Sequence, residues 1–178
     1  QIGLFHSDGQ RDAAIRRANS IRNRGDDAEL LSVTQLRKMV PYLDYDQGRF
    51  PIYGGLLQRR AGTARHDAVA WGYARGADRL GVDLIQNCEV TGLDIVQGVV
   101  RGVQTNRGPI GAKKVAMVVA GRSSQVAAMA GMRLPIESHV LQAFVTEGLK
   151  PCIDHVISFG MGHFYISQSD KGGLVFGG

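Results

Sequence analysis

Apolar and polar positions fall into short runs along this chain, and most of them match one of the two periods of regular structure. Residues 1–7 open in apolar, strand-like text. Asp8 then stands where a helix cap belongs. Ala14, Ala18 and Ile21 recur on one face of a helix expected to reach about Arg24, with Gly25 as its stop. Residues 28–31 read as a short strand. Ser32 and Gln35 have the Ser-x-x-Gln spacing of a capping box, opening a short helix that Pro41 ends. Residues 42–60 are rich in turn formers and aromatics, which predicts a hairpin or a loop over a site.

The clearest helical period lies in GTARHDAVAWGYARGADRLG. Thr63 is its expected N-cap, so Ala64, Arg65 and His66 become the first three helical residues. His66, Ala70, Tyr73, Ala77 and Leu80 follow steps of four and three and share one face, which predicts an inward-facing His66 in a helix over 63–80. Gly81 closes it. From 82 the text turns β-like, with strands expected at 82–86, 88–96, 99–105 and 113–121. Gln97-Gly98 separates the second from the third, and a Gly-Pro turn precedes the fourth. Residues 115–120 are continuously apolar, as in a strand buried on both faces. A short helix at 125–130 follows Ala120-Gly121-Arg122-Ser123-Ser124, and strand-like pieces recur at 140–145, 155–158, 164–167 and 174–176. No internal repeat is evident. The pattern predicts a mixed α/β (α+β) fold.

Composition narrows the class without naming a function. In 178 residues, 44% are hydrophobic and 21% charged, which suits a folded chain and argues against disorder. No apolar run approaches the ~20 residues of a membrane helix, and QIGLFHSDGQ carries no secretory leader pattern. Both ends fall inside strand-like text, so the chain is expected to be an internal piece of a longer polypeptide. The formal charge is +5, with 16 Arg against 5 Lys; the Arg bias fits an anionic ligand or an acidic partner. Nucleic acid is not expected, because no basic stripe is interleaved with aromatics. Cys88 and Cys152 stand far apart with no CxxC; they are expected to be buried free thiols of a cytoplasmic protein.

Candidate chemistry is sparse. No G-x-G-x-x-G follows a strand, and Gly160-Met161-Gly162 reads as a turn. The run VAMVVAGRSS ends a strand in small residues before a helix, which is either a place for a cofactor to approach the backbone or ordinary strand–helix packing. His66 at a helix start sits at the positive end of the dipole, which disfavours imidazolium. It is either a core histidine with two hydrogen bonds or a nucleophile or ligand. Arg59, Arg60 and Arg65 precede it, forming either a phosphate site with the helix amides or a solvated basic loop. His139, His155 and His163 match no metal spacing, and Ser123-Ser124 has no visible base partner.

Four long stretches carry a resemblance: FPIYGGLLQRRAGTARHDAVAWGYARGAD, GVDLIQNCEVTGL, LPIESHVLQAFVTEGLKP and GMGHFYISQSDKGGLVFGG. Over nearly the whole chain the sequence resembles the D-amino-acid-oxidase-like flavoproteins, and among them the beta subunits of heterotetrameric sarcosine oxidases. The resemblance implies a non-covalent FAD, where sarcosine is oxidised, and a covalent FMN near the alpha-subunit interface. The histidine of ARHDAVAW implies His66 as the FMN attachment residue, with Arg65 as an FMN neighbour. It further implies Val90 at the adenine end of FAD and Ala120 and Gly121 along the FAD. Tyr165 and Lys171 are implied to line the sarcosine side, although Lys171 fits a surface turn equally. Electrons are expected to pass from sarcosine to FAD, to FMN and to oxygen, giving peroxide and glycine. The one-carbon unit is expected to go to tetrahydrofolate on the alpha subunit, in a complex that also holds gamma and delta subunits.

By role, residues 1–81 are expected to be a helical and loop part with the attachment helix. Residues 82–130 are expected to be a β-rich part of the FAD domain, and 131–178 the start of a substrate-domain sheet that is rich in antiparallel pairs. The FAD fingerprint lies outside this sequence, so the 178 residues alone are expected to be inactive. Two other readings stand beside this one: a single-flavin relative of the dimethylglycine or glycine oxidase kind with a structural His66, and a non-catalytic assembly piece.

Overall fold

Backbone pairing, more than any local signal, assembles this protein. The structure is a computed structural model that describes residues 1–46, 48–160 and 162–178; Gln47 of the expected 42–60 loop and Met161 of the expected 160–162 turn lie outside them. The elements run β1 (Ile2–Phe5), α1 (Asp8–Asn23), β2 (Glu29–Leu31), α2 (Val33–Met39), β3 (Gly54–Leu57), α3 (His66–Arg79), β4 (Val90–Val96), β5 (Val99–Thr105), β6 (Gly108–Gly111), α4 (Ser123–Met129), β7 (Ala143–Gly148), β8 (Ile157–Phe159), β9 (Phe164–Gln168) and β10 (Gly173–Gly177). They divide into two units, Gln1–Arg65 with Leu141–Gly178, and His66–Val140.

The first unit is built on a seven-stranded sheet in the order β2-β3-β1-β8-β9-β10-β7. Only β1 and β8 pair in parallel; the other pairs are antiparallel, as expected of this fold. Helix α1 starts where the side chain of Ser7 caps the Gln10 N–H, and Gly25 follows its end with a φ of +84°. Helix α2 carries the capping box complete: Ser32 and Gln35 each bond the other's backbone N–H.

On β3, Leu56 meets Ala18 of α1 and Ala28, whereas Leu57 joins Ile2, Leu4, Leu31, Leu36, Val40, Ile52 and Ile157. Neighbouring strand residues point to opposite faces, so α1 and α2 cover opposite sides of the sheet. Ile2, Leu36, Val40 and Ile157 are fully buried, each contributing about 2 kcal/mol over an exposed position.

The second unit holds the meander β4-β5-β6, helices α3 and α4, and a 3-10 turn over Ala120–Arg122. Gln97 and Gly98 both have positive φ, 50° and 77°, the geometry of a two-residue hairpin turn whose twist matches its strands.

Several expectations differ from the structure. Residues 82–86 and 113–119 form no strand, although their apolar text suits one. A strand needs a partner edge for its N–H and C=O groups, and neither segment is paired with a described strand. Val118 is accordingly 89% exposed where a strand buried on both faces was expected. The expected Gly-Pro turn is instead strand β6, whose Pro109 sits at a sheet edge where a missing donor costs nothing. Residues 54–57, expected within a hairpin or loop, form an inner strand between β2 and β1. The expected buried thiols also differ: Cys88 is half-buried and Cys152 exposed.

Gly54 is a test of how tightly this sheet closes. Its φ is +154°, and an added Cβ would stand 2.5 Å from Phe5 Cζ and 2.6 Å from the Leu31 carbonyl. Gly54→Ala should cost about 3 kcal/mol, since the carbonyl belongs to a paired strand and cannot step aside. Urea unfolding of the two proteins side by side checks this; an unchanged midpoint would mean the sheet edge yields.

Candidate functional site

The segment that leaves β3 carries Arg59, Arg60 and Arg65 and leads into His66. Residues 58–65 form no helix or strand, and α3 begins at His66, three residues after Thr63. Thr63 therefore does not cap the helix, and Ala64 and Arg65 precede it. Asp67 supplies the acidic residue of the first turn, and its carboxylate accepts from the Ala68 N–H at 2.8 Å. His66 is exposed and not inward-facing, and no residue of α3 is buried. The apolar stripe does exist: Val69, Tyr73 and Leu80 line one face with Gly72 and Gly76. No described helix or strand packs on it, so Tyr73 and Leu80 are 80% and 86% exposed. Spacing gives a helix its stripe; only a neighbour turns the stripe into a core. The His66 ring has no hydrogen-bond partner among the described residues, which leaves both nitrogens open to chemistry.

Arg65 is joined to a residue 105 positions away. Its Nη1 lies 3.5 Å from Asp170 Oδ2 in the turn between β9 and β10, beside Lys171. Tyr165 is half-buried on β9, two residues before Ser167, so the two share a face of the strand. Arg59 and Arg60 do not gather as an anion site. Arg59 grips Glu29 with both Nε and Nη2, at 2.5 and 2.9 Å, and Arg60 binds Asp27. These guanidinium groups are already engaged by carboxylates after α1 on an exposed loop, so of the two readings the solvated basic loop is the one met at Arg59 and Arg60.

A cavity of about 270 Å³ lies beside this segment, lined by Gly62, Thr63, Asp154, His155, Ser167 and Gln168 among others. One of its polar walls lacks a partner among the described residues: His155 Nδ1 is buried with none, and Ser167 beside it is 7% exposed. Sequence reasoning missed Asp170, Gln168 and Ser167. Each has a role set by residues far away along the chain, so no spacing pattern announces it.

In the second unit, Val90 opens β4 and pairs with Thr105 of β5 on one edge. Val90, Leu93, Val103, Val119, Val126 and Met132 help line an apolar cavity of about 250 Å³. Ala120 takes a φ of +44°, and the Ser123 and Ser138 hydroxyls donate to the carbonyls of Ala120 and Gly121 at 2.7 and 2.6 Å. Val90 and Val119 thus line one cavity, with Ala120 and Gly121 following Val119 in the chain. Among the described residues no group of three His, Cys, Asp or Glu could hold a metal ion. No described helix is long and apolar enough to cross a membrane.

The FAD dependent oxidoreductase (DAO) family matches residues 1–178. The chain belongs to this family. Its fold agrees: the chain overlays "L-proline dehydrogenase from P. horikoshii" with a TM-score of 0.83 at 26% identity, covering 98% of this chain and 47% of that one. A glycine oxidase from Geobacillus kaustophilus overlays with a TM-score of 0.78 at 18% identity, covering 98% and 45%, which shows the fold alone. Among curated sequences, "Sarcosine oxidase subunit beta" of Rhizobium meliloti (strain 1021) is 70% identical over 177 residues, 99% of this chain and 42% of that protein. The protein of the same name from Arthrobacter sp is 45% identical over 177 residues, covering 99% and 44%. The chain therefore spans under half the length of these relatives.

A member of the FAD-dependent oxidoreductase family uses FAD, and the described residues fit part of one. An apolar wall that includes Val90 and Val119 suits a planar heteroaromatic ring. The diphosphate finds no glycine-rich strand–helix turn here.

The carboxylates engaged by arginine make the fold acid-sensitive. Asp27 and Glu29 are held below the usual carboxylate range, chiefly by the hydrogen bonds from Arg60 and Arg59. A depressed carboxyl contributes stability above its unfolded pKa, about 4, and loses it as pH falls through the lower folded value. Stability should therefore drop from about pH 4 downward. The drop should be smaller in Asp27→Asn and Glu29→Gln, and modest throughout because both groups are exposed. Urea midpoints between pH 6 and pH 3 give the comparison.

Proposed function

We propose that this chain is a portion of a sarcosine oxidase beta subunit, the flavin-bearing subunit of a complex with alpha, gamma and delta subunits in the cytoplasm. The observation that carries the proposal is the 70% identity over 177 residues to the Rhizobium meliloti beta subunit. In this reading residues 1–81 bring the attachment segment, 82–130 contribute to FAD binding, and 131–178 begin the substrate-side sheet. Sarcosine is oxidatively demethylated to glycine, oxygen is reduced to peroxide, and the one-carbon unit passes to tetrahydrofolate. FAD, when bound non-covalently, supplies the two-electron acceptor for the amine; the protein's share is placement and electrostatics.

His66 holds FMN covalently through an imidazole nitrogen, which its exposure and unpaired ring permit. Arg65 supplies a positive charge beside the FMN. Val90 offers main chain at the strand edge to the adenine end of FAD, and Ala120 and Gly121 lie along the cofactor. Tyr165 and Lys171 face the substrate side, one from a strand and one from the turn that follows it. Placing these residues on strands and on a bonded turn favours a fixed geometry, which is what orientation-driven catalysis needs.

His66→Ala in the full-length subunit tests the assignment. Acid precipitation should leave no flavin in the pellet, while FAD appears undiminished in the supernatant. Stopped-flow mixing with sarcosine should still bleach FAD, and peroxide formation should fall sharply. Acid-stable flavin in the Ala variant would move the attachment to another residue.

A further inference from the structure

Gln168, at the end of β9, uses its whole carboxamide. Oε1 accepts from the Cys152 and Ile153 N–H groups at 2.7 and 3.1 Å. Nε2 donates toward the carbonyls of Leu149, Lys150 and Gly172 at 3.3, 3.0 and 2.8 Å. One side chain thereby ties the 149–153 segment to the β9–β10 turn. The turn is closed from its own side as well: Gly172 N–H bonds the Ser169 carbonyl at 2.9 Å, and Leu149 N–H bonds the Gly172 carbonyl at 3.1 Å. Gly172 sits at a φ of +87°, where an added Cβ would stand 2.6 Å from the Leu149 carbonyl. Asp170 projects from this fixed turn, and its Oδ2 lies 3.5 Å from Arg65 Nη1.

We infer that Gln168 and Asp170 are positioning residues for the segment that runs from β3 through Arg65 into His66. Gln168 fixes the turn, the turn fixes Asp170, and Asp170 holds the Arg65 guanidinium. The requirement for an amide is chemical. Only Asn or Gln can accept from two N–H groups through one oxygen while donating to carbonyls through the adjacent nitrogen. A glutamate at 168 would keep the acceptor and set negative charge against three carbonyl oxygens. The consequence for flavin loading rests on the proposed function above, with His66 as the attachment residue; the consequence for segment 58–66 does not.

The test uses the full-length subunit in its complex, with variants Gln168→Met, Gln168→Glu, Asp170→Asn and the double exchange Arg65→Asp with Asp170→Arg. Deuterium exchange of peptides covering 58–66, 149–153 and β1 is read beside acid-stable flavin per FAD. Both Gln168 variants should speed exchange of 149–153 by about tenfold and of 58–66 by about two- to fivefold, while the β1 peptide stays protected. Asp170→Asn should speed only 58–66, by about two- to fivefold, as an exposed pair allows. It should also lower acid-stable flavin at constant FAD, and the double exchange, which puts a negative charge at position 65, should restore only the protection of 58–66. Equal exchange of 58–66 in Asp170→Asn and the parent overturns the inference, even where a Gln168 variant fails to fold. Faster exchange with unchanged flavin loading overturns its functional half. Retained acid-stable flavin in His66→Ala instead sinks the attachment assignment and leaves the exchange result to stand by itself.

Discussion

Strand β1 is four residues long, and the first unit depends on the pairing of its two edges. One edge runs antiparallel to residues 54–57 and the other parallel to 157–159. Ile2 and Leu4 are buried, so the backbone between them has no water to fall back on and must be paired. That requirement draws segments from opposite ends of the chain into one sheet, which is why the unit is discontinuous in sequence. Leu57 and Ile157 then lie in one core because each is registered opposite Ile2. Pairings of such separation carry a high loop-closure entropy.

The same closure assembles the candidate site. Once β8 lies beside β1, β9 and β10 follow by antiparallel pairing, and their connecting turn arrives beside Arg65. Gln168 converts that turn from a loop into a fixed element by bonding both flanks. Charge is sorted locally along the way. The chain has a formal +5, yet Arg59, Arg60 and Arg65 each meet a carboxylate from elsewhere in the fold. A basic run in the text thus became three separate ion pairs.

The second unit shows the opposite case, in which patterns legible along the chain are left without neighbours. The α3 stripe meets every local criterion for burial, but no described helix or strand packs on it, and the apolar run at 115–119 has strands β4 and β5 as neighbours yet joins no ladder. Amphipathicity states which face wants a partner and is silent on where the partner comes from.

What the sequence alone determined lies within reach of a few residues. The Ser32–Gln35 capping box, the Gly25 stop, the Gln97-Gly98 hairpin and the antiparallel tail all follow from contacts a turn or a strand pair away. The family resemblance, with His66 and Arg65 in a long motif, was legible for the same reason: it is carried by contiguous text. The tertiary structure decided everything that needs a second segment. It made residues 54–57 an inner strand, left 82–86 and 113–119 without one, and started α3 at His66. It also joined Arg65 to Asp170 and gave Gln168 its bonds. The physical reason is that hydrogen-bond and charge partners are chosen in space, and a residue's own neighbours in the chain do not encode who will stand opposite it.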